Sequence, residues 1–479
     1  MKRLNVIPYP NGVTFRPGTA VTADVVGNIE EKIHQDLNDE AYILEVRSDG
    51  IRIVAGSEKG LFHARKTLEQ LVREPEMPCV FIQDEPAYPY RGFMIDPVRH
   101  IVSIDDTKKL IDAAAALKMN YMHWHLSDDQ GWRIQLKSRP ELVEKSSMRK
   151  ASTFGGEKDF TPYGGCFTRE EITDIVSYAA ERCIEVIPEI DMPGHMSALL
   201  HAHPELSCTG MGSEVITKQG IFPEILCAGK DETFDVIFDI LDEMAELFPC
   251  RYFHIGGDEA PKTRWHSCPD CRRRMSDEGL KNEEELQGWF TEKVRKHLEE
   301  KGKKVIVWNE SLKSGLVENV TVQNWMDKEG LCDKYANGGG KVIASDFYHC
   351  YCDYPYSMTP LKKCYNYNPC GGKLTDAGKN NIIGVETPMW TEYVKNFTRL
   401  CYMWFPRFAA VAENGWSREW AKDEADFERR YKIFEPVLGA MGIIGAPDAD
   451  WNPSVLSRLP GVWSFFKPTV INMIDEFKG

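Results

Sequence analysis

Between residues 42 and 54 apolar and polar side chains alternate, in YILEVRSDGIRIV, on either side of Ser48-Asp49-Gly50. A period of two is that of a half-buried strand and Asp-Gly is a favoured tight turn, so this stretch predicts a β-hairpin. From Lys59 to Val72 the period lengthens, with Leu61, Phe62, Ala64, Leu68 and Leu71 recurring at three- and four-residue spacing. That spacing is one face of an amphipathic helix. Glu74-Pro75-Glu76-Met77-Pro78, followed by Pro86 and Pro89, then punctuates the chain. The prolines predict a boundary between a small α+β domain, residues 1–86, and a larger unit.

After Tyr90 short apolar runs alternate with longer amphipathic stretches. Eight runs stand out: GFMID (92–96), YMHWHL (121–126), EVIPEI (185–190), YFHIGG (252–257), KVIVW (304–308), VTVQNW (320–325), KVIAS (341–345) and IIGVET (382–387). Between them lie helical candidates at 105–118, 169–182, 233–248 and 283–301, the first with Ser103 as its N-cap. Eight βα units predict an α/β chain with a (β/α)8 TIM barrel over residues 87–440. An open doubly wound sheet is the alternative, but no glycine-rich phosphate loop opens any of these helices. Beyond Trp420 the chain is mixed and contains proline, and residues 441–479 are expected to form a C-terminal extension packed on the barrel.

Charge narrows the partners. The 479 residues carry 58 Lys+Arg against 73 Asp+Glu, a formal net charge of −15, which argues against nucleic acid. No run is long enough for a membrane span, and the N-terminal MKRLNVIPYPNG lacks the apolar core of a signal peptide, so a cytoplasmic protein is expected. The 14 cysteines then read as reduced thiols. Cys268 and Cys271 have CxxC spacing, but no second CxxC accompanies them, which favours local packing over a zinc site.

In a barrel the catalytic groups stand at the C-terminal ends of the strands. Asp96 and Arg99 follow the first run, Asp128 and Asp129 the second, Glu189, Asp191 and His195 the third, and Asp258 and Glu259 the fourth. Trp308 and Trp325 end the fifth and sixth, Tyr351 and Asp353 follow the seventh, and Trp390 and Glu392 the eighth. Indoles pack on the C–H faces of a sugar while carboxylates and a guanidinium take its hydroxyls, so the ring suits a carbohydrate. Cleaving a glycosidic bond also needs a proton donor for the leaving oxygen, and Asp258-Glu259 is the candidate source. Consecutive strand residues point to opposite faces, so both carboxylates can serve one site only if Gly256-Gly257 re-aims one of them.

HWHLSDDQGWR (123–133), EVIPEIDMPGH (185–195), HIGGDE (254–259) and GVETPMWTE (384–392) resemble glycoside hydrolase family 20, the β-N-acetylhexosaminidases. GLFHARKTLEQL (60–71) is similar to part of the small domain that precedes the barrel in that family. The resemblance implies exo-acting, retaining hydrolysis of terminal β-linked GlcNAc or GalNAc, with the substrate's own acetamido oxygen as nucleophile and an oxazolinium intermediate. It implies no cofactor, and a small oligosaccharide or glycoconjugate as partner. By the same likeness Glu259 is general acid and base, and Asp258 holds the acetamido N–H. Tyr351 bonds the acetamido oxygen, Trp308, Trp325 and Trp390 wall the pocket, and Arg99, Asp353 and Glu392 grip the hydroxyls. Asp129 is a further substrate-side carboxylate, and Asp191 and His195 stand behind Glu259. One departure is Cys352, where the family more often has a larger apolar residue. Two other classes remain: a metal-dependent barrel hydrolase using His123, His125, His195 and Asp258, and a catalytically silent binder of 2-acetamido sugars.

Overall fold

The computed structural model describes residues 3–73, 76–156, 158–463 and 465. The hairpin at residues 42–54 is formed, its strands Tyr42–Arg47 and Gly50–Ala55 pairing antiparallel with Arg47 opposite Gly50. It lies within a five-stranded sheet ordered Gly12–Val21, Glu76–Asp84, Tyr42–Arg47, Gly50–Ala55, Ile29–Ile33. The helix Glu58–Leu71 packs on this sheet through Leu61, Ala64, Leu68 and Leu71, capped by Ser57, whose hydroxyl accepts from the Lys59 N–H.

One expectation is corrected here. Met77 and Pro78 belong to the strand Glu76–Asp84 and not to a linker, and the chain leaves the sheet only after Asp84. Pro78 is tolerated because Tyr42–Arg47 pairs only with residues 80–84, so at Pro78 one side of the strand needs no N–H.

All eight apolar runs become parallel strands of one closed barrel. They are β1 (Tyr90–Ile95), β2 (Tyr121–His125), β3 (Glu185–Glu189), β4 (Tyr252–His254), β5 (Lys304–Trp308), β6 (Thr321–Asn324), β7 (Lys341–Ala344) and β8 (Ile382–Met389), with β8 pairing β1 to close it. The four expected helices are Ile104–Ala116, Arg169–Ala180, Asp231–Leu247 and Glu283–Glu300. Ser103 caps the first by accepting from the Asp106 N–H, and Thr168 with Glu171 forms a capping box on the second.

The barrel interior is layered. At its lower end Tyr90, Tyr121, Ile187, Tyr252, Ile306 and Ile343 form a small apolar cluster. Above it the filling is polar: Glu189 accepts from Trp308 Nε1 at 2.9 Å and faces His123, His125 and His254, while Glu386 faces His123, Tyr90 and Gln323. Burial works against charged imidazoles, yet Glu386 and Glu189 raise His123 to about 9, and Glu189 with Asp128 raises His125 to about 10. The cleft lies on top of this charged layer.

Buried ion pairs join the two domains. Lys118 reaches the Tyr42 hydroxyl at 2.8 Å and Asp84 at 3.5 Å, and Arg91 pairs with Glu40, which also bonds His63. Trp416, from the barrel's last helical stretch, is buried in the small domain's core. After the helix Glu424–Ala440 the chain stays on the barrel, through Trp451 against Tyr431 and the Arg458 guanidinium on the Ser357 carbonyl. The rest of the expected extension, residues 466–479, lies outside the described residues. Among the described residues no helix is long and apolar enough to cross a membrane.

Candidate active site

The strand β4 stops at His254, and the next five residues turn sharply. Gly256 and Gly257 take φ of +66° and +107°, and Glu259 itself has φ +43°. A side chain at Gly256 would place its Cβ 1.6 Å from Asp191 Oδ1, and one at Gly257 2.2 Å from Ser311 Oγ. Glycine is therefore required twice over, for conformation and for space. The turn breaks strand alternation, and Asp258 and Glu259 both line one cleft.

That cleft encloses about 610 Å³ of space counted out to its open mouth. Arg99, Asp191, His195, Asp258, Glu259, Trp325, Tyr351, Asp353, Trp390 and Glu392 all contribute to its wall. Asp258 is 9% exposed, whereas the Glu259 side chain is 33% exposed. The pair thus divides into a deep carboxylate and a carboxylate at the rim.

Charge within the cleft is organised around a few contacts. Arg99 lies 2.6 Å from Asp128 and 3.3 Å from Asp96, with its guanidinium 5.1 Å from the centre of the Trp390 ring. His195, in a left-handed backbone conformation, places Nδ1 3.2 Å from both Asp128 and Asp129 and Nε2 3.6 Å from Glu259. Burial disfavours its cation, but Asp128, Asp129 and Glu259 outweigh burial and hold the imidazole well above its ordinary pKa. A charged His195 therefore stands behind Glu259.

The deeper carboxyls are shifted the other way. Burial pushes Asp191 up to about 8, with His195 opposing and Glu189 adding, and its Oδ1 accepts from the Gly257 N–H at 2.9 Å. Burial and then Asp191 push Asp258 well above the ordinary carboxylate range. Two adjacent buried carboxyls cannot both ionise cheaply, so they hold a proton between them at neutral pH. Burial, followed by Glu392, raises Asp353 as well. Asp258 Oδ1 and Asp353 Oδ1 are both buried without a hydrogen-bond partner.

Two residues expected to touch substrate are placed elsewhere. Asp129 does not line the cleft: its carboxylate accepts from the Ser197 N–H at 3.0 Å and hydroxyl at 2.5 Å, and Asp128 takes the wall position. Asp128 ends the two-residue strand Ser127–Asp128 and Asp129 opens the turn after it, so the two carboxylates face different ways, and the sequence alone does not say which faces in. Trp308 is buried one layer down, donating to Glu189, with its ring 6.1 Å from that of Trp390. Phe347, Tyr354 and Tyr393 also line the cleft, and Glu310 accepts from Trp325 Nε1 at 2.9 Å. Phe347, Tyr354 and Tyr393 lie in loops and Glu310 in a short 3-10 helix, all beyond the strand ends, where no period marks them. Cys352 points away from the cleft, its sulfur accepting from the Thr387 hydroxyl at 3.4 Å.

The four groups of the metal reading are not gathered. Among the described residues His123 groups with Glu189 and His254, while His195 groups with Asp128 and Asp129 or with Asp191 and Asp258.

Comparison with known proteins agrees with this geometry over nearly the whole chain. Residues 88–419 match the model of the glycosyl hydrolase family 20 catalytic domain, and residues 18–85 that of the family's domain 2. A beta-hexosaminidase of Porphyromonas gingivalis is 40% identical over 416 residues, covering 82% of this chain and 53% of that protein, so the chain spans about half the relative's length. The crystal structure of a beta-N-acetylhexosaminidase superposes with a TM-score of 0.87 at 31% identity, covering 95% of this chain and 99% of the other. An exo-β-N-acetylglucosaminidase of Vibrio harveyi in complex with N-acetylglucosamine superposes with a TM-score of 0.82 at 29% identity, covering 92% and 78% of the two chains. With both of its domains matched in family order, the chain belongs to glycosyl hydrolase family 20.

Proposed function

We propose that this glycoside hydrolase removes terminal, non-reducing β-linked N-acetylhexosamine, GlcNAc or GalNAc, from small oligosaccharides or glycoconjugates, with retention and through an oxazolinium intermediate. The observation that carries the reading is the pair of buried, unpartnered carboxylate oxygens on Asp258 and Asp353. A buried acceptor without a donor costs about 1–3 kcal/mol, and a ligand carrying an N–H and several O–H groups would satisfy both. The N-acetylglucosamine bound by the Vibrio harveyi protein supports the same ligand class.

The steps follow from depth. The acetamido carbonyl oxygen bonds to C1 as the C1–O glycosidic bond breaks, and Glu259 at the rim gives its proton to the departing oxygen. Positive charge then develops on the acetamido nitrogen. Asp258 accepts from that N–H, and the growing cation draws the shared proton onto Asp191, leaving Asp258 ionised where charge is needed. Tyr351, whose ring is stacked on Trp325 with centroids 6.2 Å apart, orients the acetamido oxygen. Trp325 and Trp390 wall the sugar and Trp308 supports them from below. Asp353, Arg99 and Glu392 take the ring hydroxyls. Glu259, now a carboxylate, removes a proton from water, whose oxygen bonds to C1 and reopens the ring. Asp129 and His195 act on Glu259 and Asp128 from behind. Cysteines that form no disulfide suit a reducing compartment, the cytoplasm.

The test is hydrolysis of aryl β-glycosides with and without the 2-acetamido group. Loss of that group should lower kcat/KM by several orders of magnitude, because the nucleophile leaves with it and effective molarities reach ~10⁵ M or more. Equal rates on a plain β-glucoside would overturn the mechanism.

A further inference from the structure

The CxxC pair Cys268 and Cys271 is not alone. Cys208 and Cys227 join it, and the four sulfur atoms lie within 4.8 Å of one another, three of them buried. The Sγ–Sγ separations are 3.8 Å for Cys208 and Cys271, 3.8 Å for Cys227 and Cys268, and 3.6 Å for Cys227 and Cys271. Four thiolates around one zinc at ~2.3 Å form a tetrahedron whose edges are ~3.8 Å. A disulfide would need ~2.05 Å. The separations fit a shared central ion and leave each cysteine a thiol.

The backbone is arranged to bring the four together. Residues 207 and 226 form an antiparallel bridge, and the Cys227 N–H donates to the Leu206 carbonyl at 2.9 Å, which sets Cys208 beside Cys227. Cys268 precedes the helix Pro269–Asp277, which carries Cys271 in its first turn. A Cβ on Gly229 would lie 2.2–2.4 Å from the backbone of Asp270 and Cys271, so glycine lets the Cys227 loop close onto the CxxC turn.

We propose that Cys208, Cys227, Cys268 and Cys271 bind one structural zinc ion, all four as thiolates, their protons released to solvent. No position is left open for water, so the site is not catalytic. Its role follows from the loops it joins. Cys208 and Cys227 lie in the β3 loop that begins with Asp191 and His195, and Cys268 and Cys271 follow Asp258 and Glu259 in the β4 loop. The Leu226 N–H donates to the Pro193 carbonyl at 3.0 Å, and Trp265 Nε1 to the Leu226 carbonyl at 2.8 Å, so the cluster is tied directly to the loops that form the cleft. The zinc pins the outer ends of both loops and thereby holds Asp191 against Gly257.

The unmutated protein, purified without a metal-chelating tag, is analysed for zinc and iron and by X-ray absorption at the zinc edge. The expected result is about one zinc per chain with four sulfur neighbours at ~2.3 Å. Cys271→Ser and Cys208→Ser should each lose the zinc and unfold at lower temperature, while Cys370→Ser, away from the cluster, keeps it. Zinc-free protein with four titratable thiols at these positions, disulfides among them by non-reducing mass spectrometry, zinc held by nitrogen or oxygen, or iron in the site would each overturn the proposal. The metal and absorption measurements need no variant, so a failure of Cys271→Ser to fold does not remove the test.

Discussion

The interdomain seam and the cleft both bury charge, and they treat it in opposite ways. At the seam the buried carboxylates Glu413 and Asp84 are fully engaged. Glu413 accepts from the Tyr9 N–H at 3.0 Å and the Tyr365 hydroxyl at 2.8 Å, and from two Arg430 nitrogens at 2.8 Å each, with both charged side chains wholly buried. Asp84 holds the Tyr42 hydroxyl, the Trp416 indole and the Asn11 N–H. In the cleft Asp258 and Asp353 each keep a bare oxygen. Satisfied burial of charge fixes how the domains meet, whereas the bare carboxyl oxygens of Asp258 and Asp353 border an open cleft that a ligand can fill.

Substitutions should separate the two regions. Glu259→Gln keeps the shape of the rim but removes its proton, and kcat on an aryl β-N-acetylglucosaminide should fall by about 10²–10⁴-fold with the melting temperature unchanged. An unaltered kcat would remove Glu259 from proton transfer. Glu413→Ala should do the reverse, costing about 3 kcal/mol in denaturant unfolding because the buried Arg430 loses its two bonds to Glu413 and keeps only Asp426 as counter-charge, while the folded protein retains its kcat. A loss of kcat as large as that of Glu259→Gln would blur the distinction between the regions. Asp353→Ala removes one buried carboxyl that hydrogen-bonds the substrate, worth about 0.5–1.5 kcal/mol, so kcat/KM should drop roughly 2- to 13-fold.

The pH dependence of stability is a finer test. His63, at the seam, is lowered to about 4 by burial against the pull of Glu40. The unfolded chain takes up that proton near pH 6.5, so the seam's contribution is full above pH 6.5 and is lost as pH falls towards 4. The Asp191–Asp258 pair is the mirror case: burial holds Asp191 up to about 8 and Asp258 well above its ordinary range, so the folded pair keeps a proton the unfolded chain has lost and stability falls as pH rises from about 4 through 8. Asp191→Asn should flatten the alkaline limb and His63→Gln the acid limb. Denaturant midpoints at pH 4.5, 6.5 and 8.5 measure both, and an unchanged alkaline limb in Asp191→Asn would contradict the raised carboxyl.

Much of this was legible in sequence. Runs such as KVIVW and YMHWHL are buried on both faces of a parallel sheet, and each became a strand close to its expected limits. Ile29–Ile33 escaped because all five of its residues are exposed, leaving no apolar alternation to read. The cleft residues that resemblance carried were mostly brought together, but the choice between Asp128 and Asp129 depends on which way a short strand end faces. The four cysteines were illegible for a different reason. Their ligand-like arrangement arises from two loops that meet in space, Cys227 and Cys268 standing 41 positions apart.

The central claim is that the bare Asp258 oxygen waits for the acetamido N–H of the substrate. The direct measurement is inhibition by a thiazoline mimic of the oxazolinium, compared between the parent protein and Asp258→Asn. Tight binding by the parent, weakened about 100-fold or more in Asp258→Asn as a charge-assisted contact is lost, is the predicted result. Equal affinity for the two proteins would contradict it.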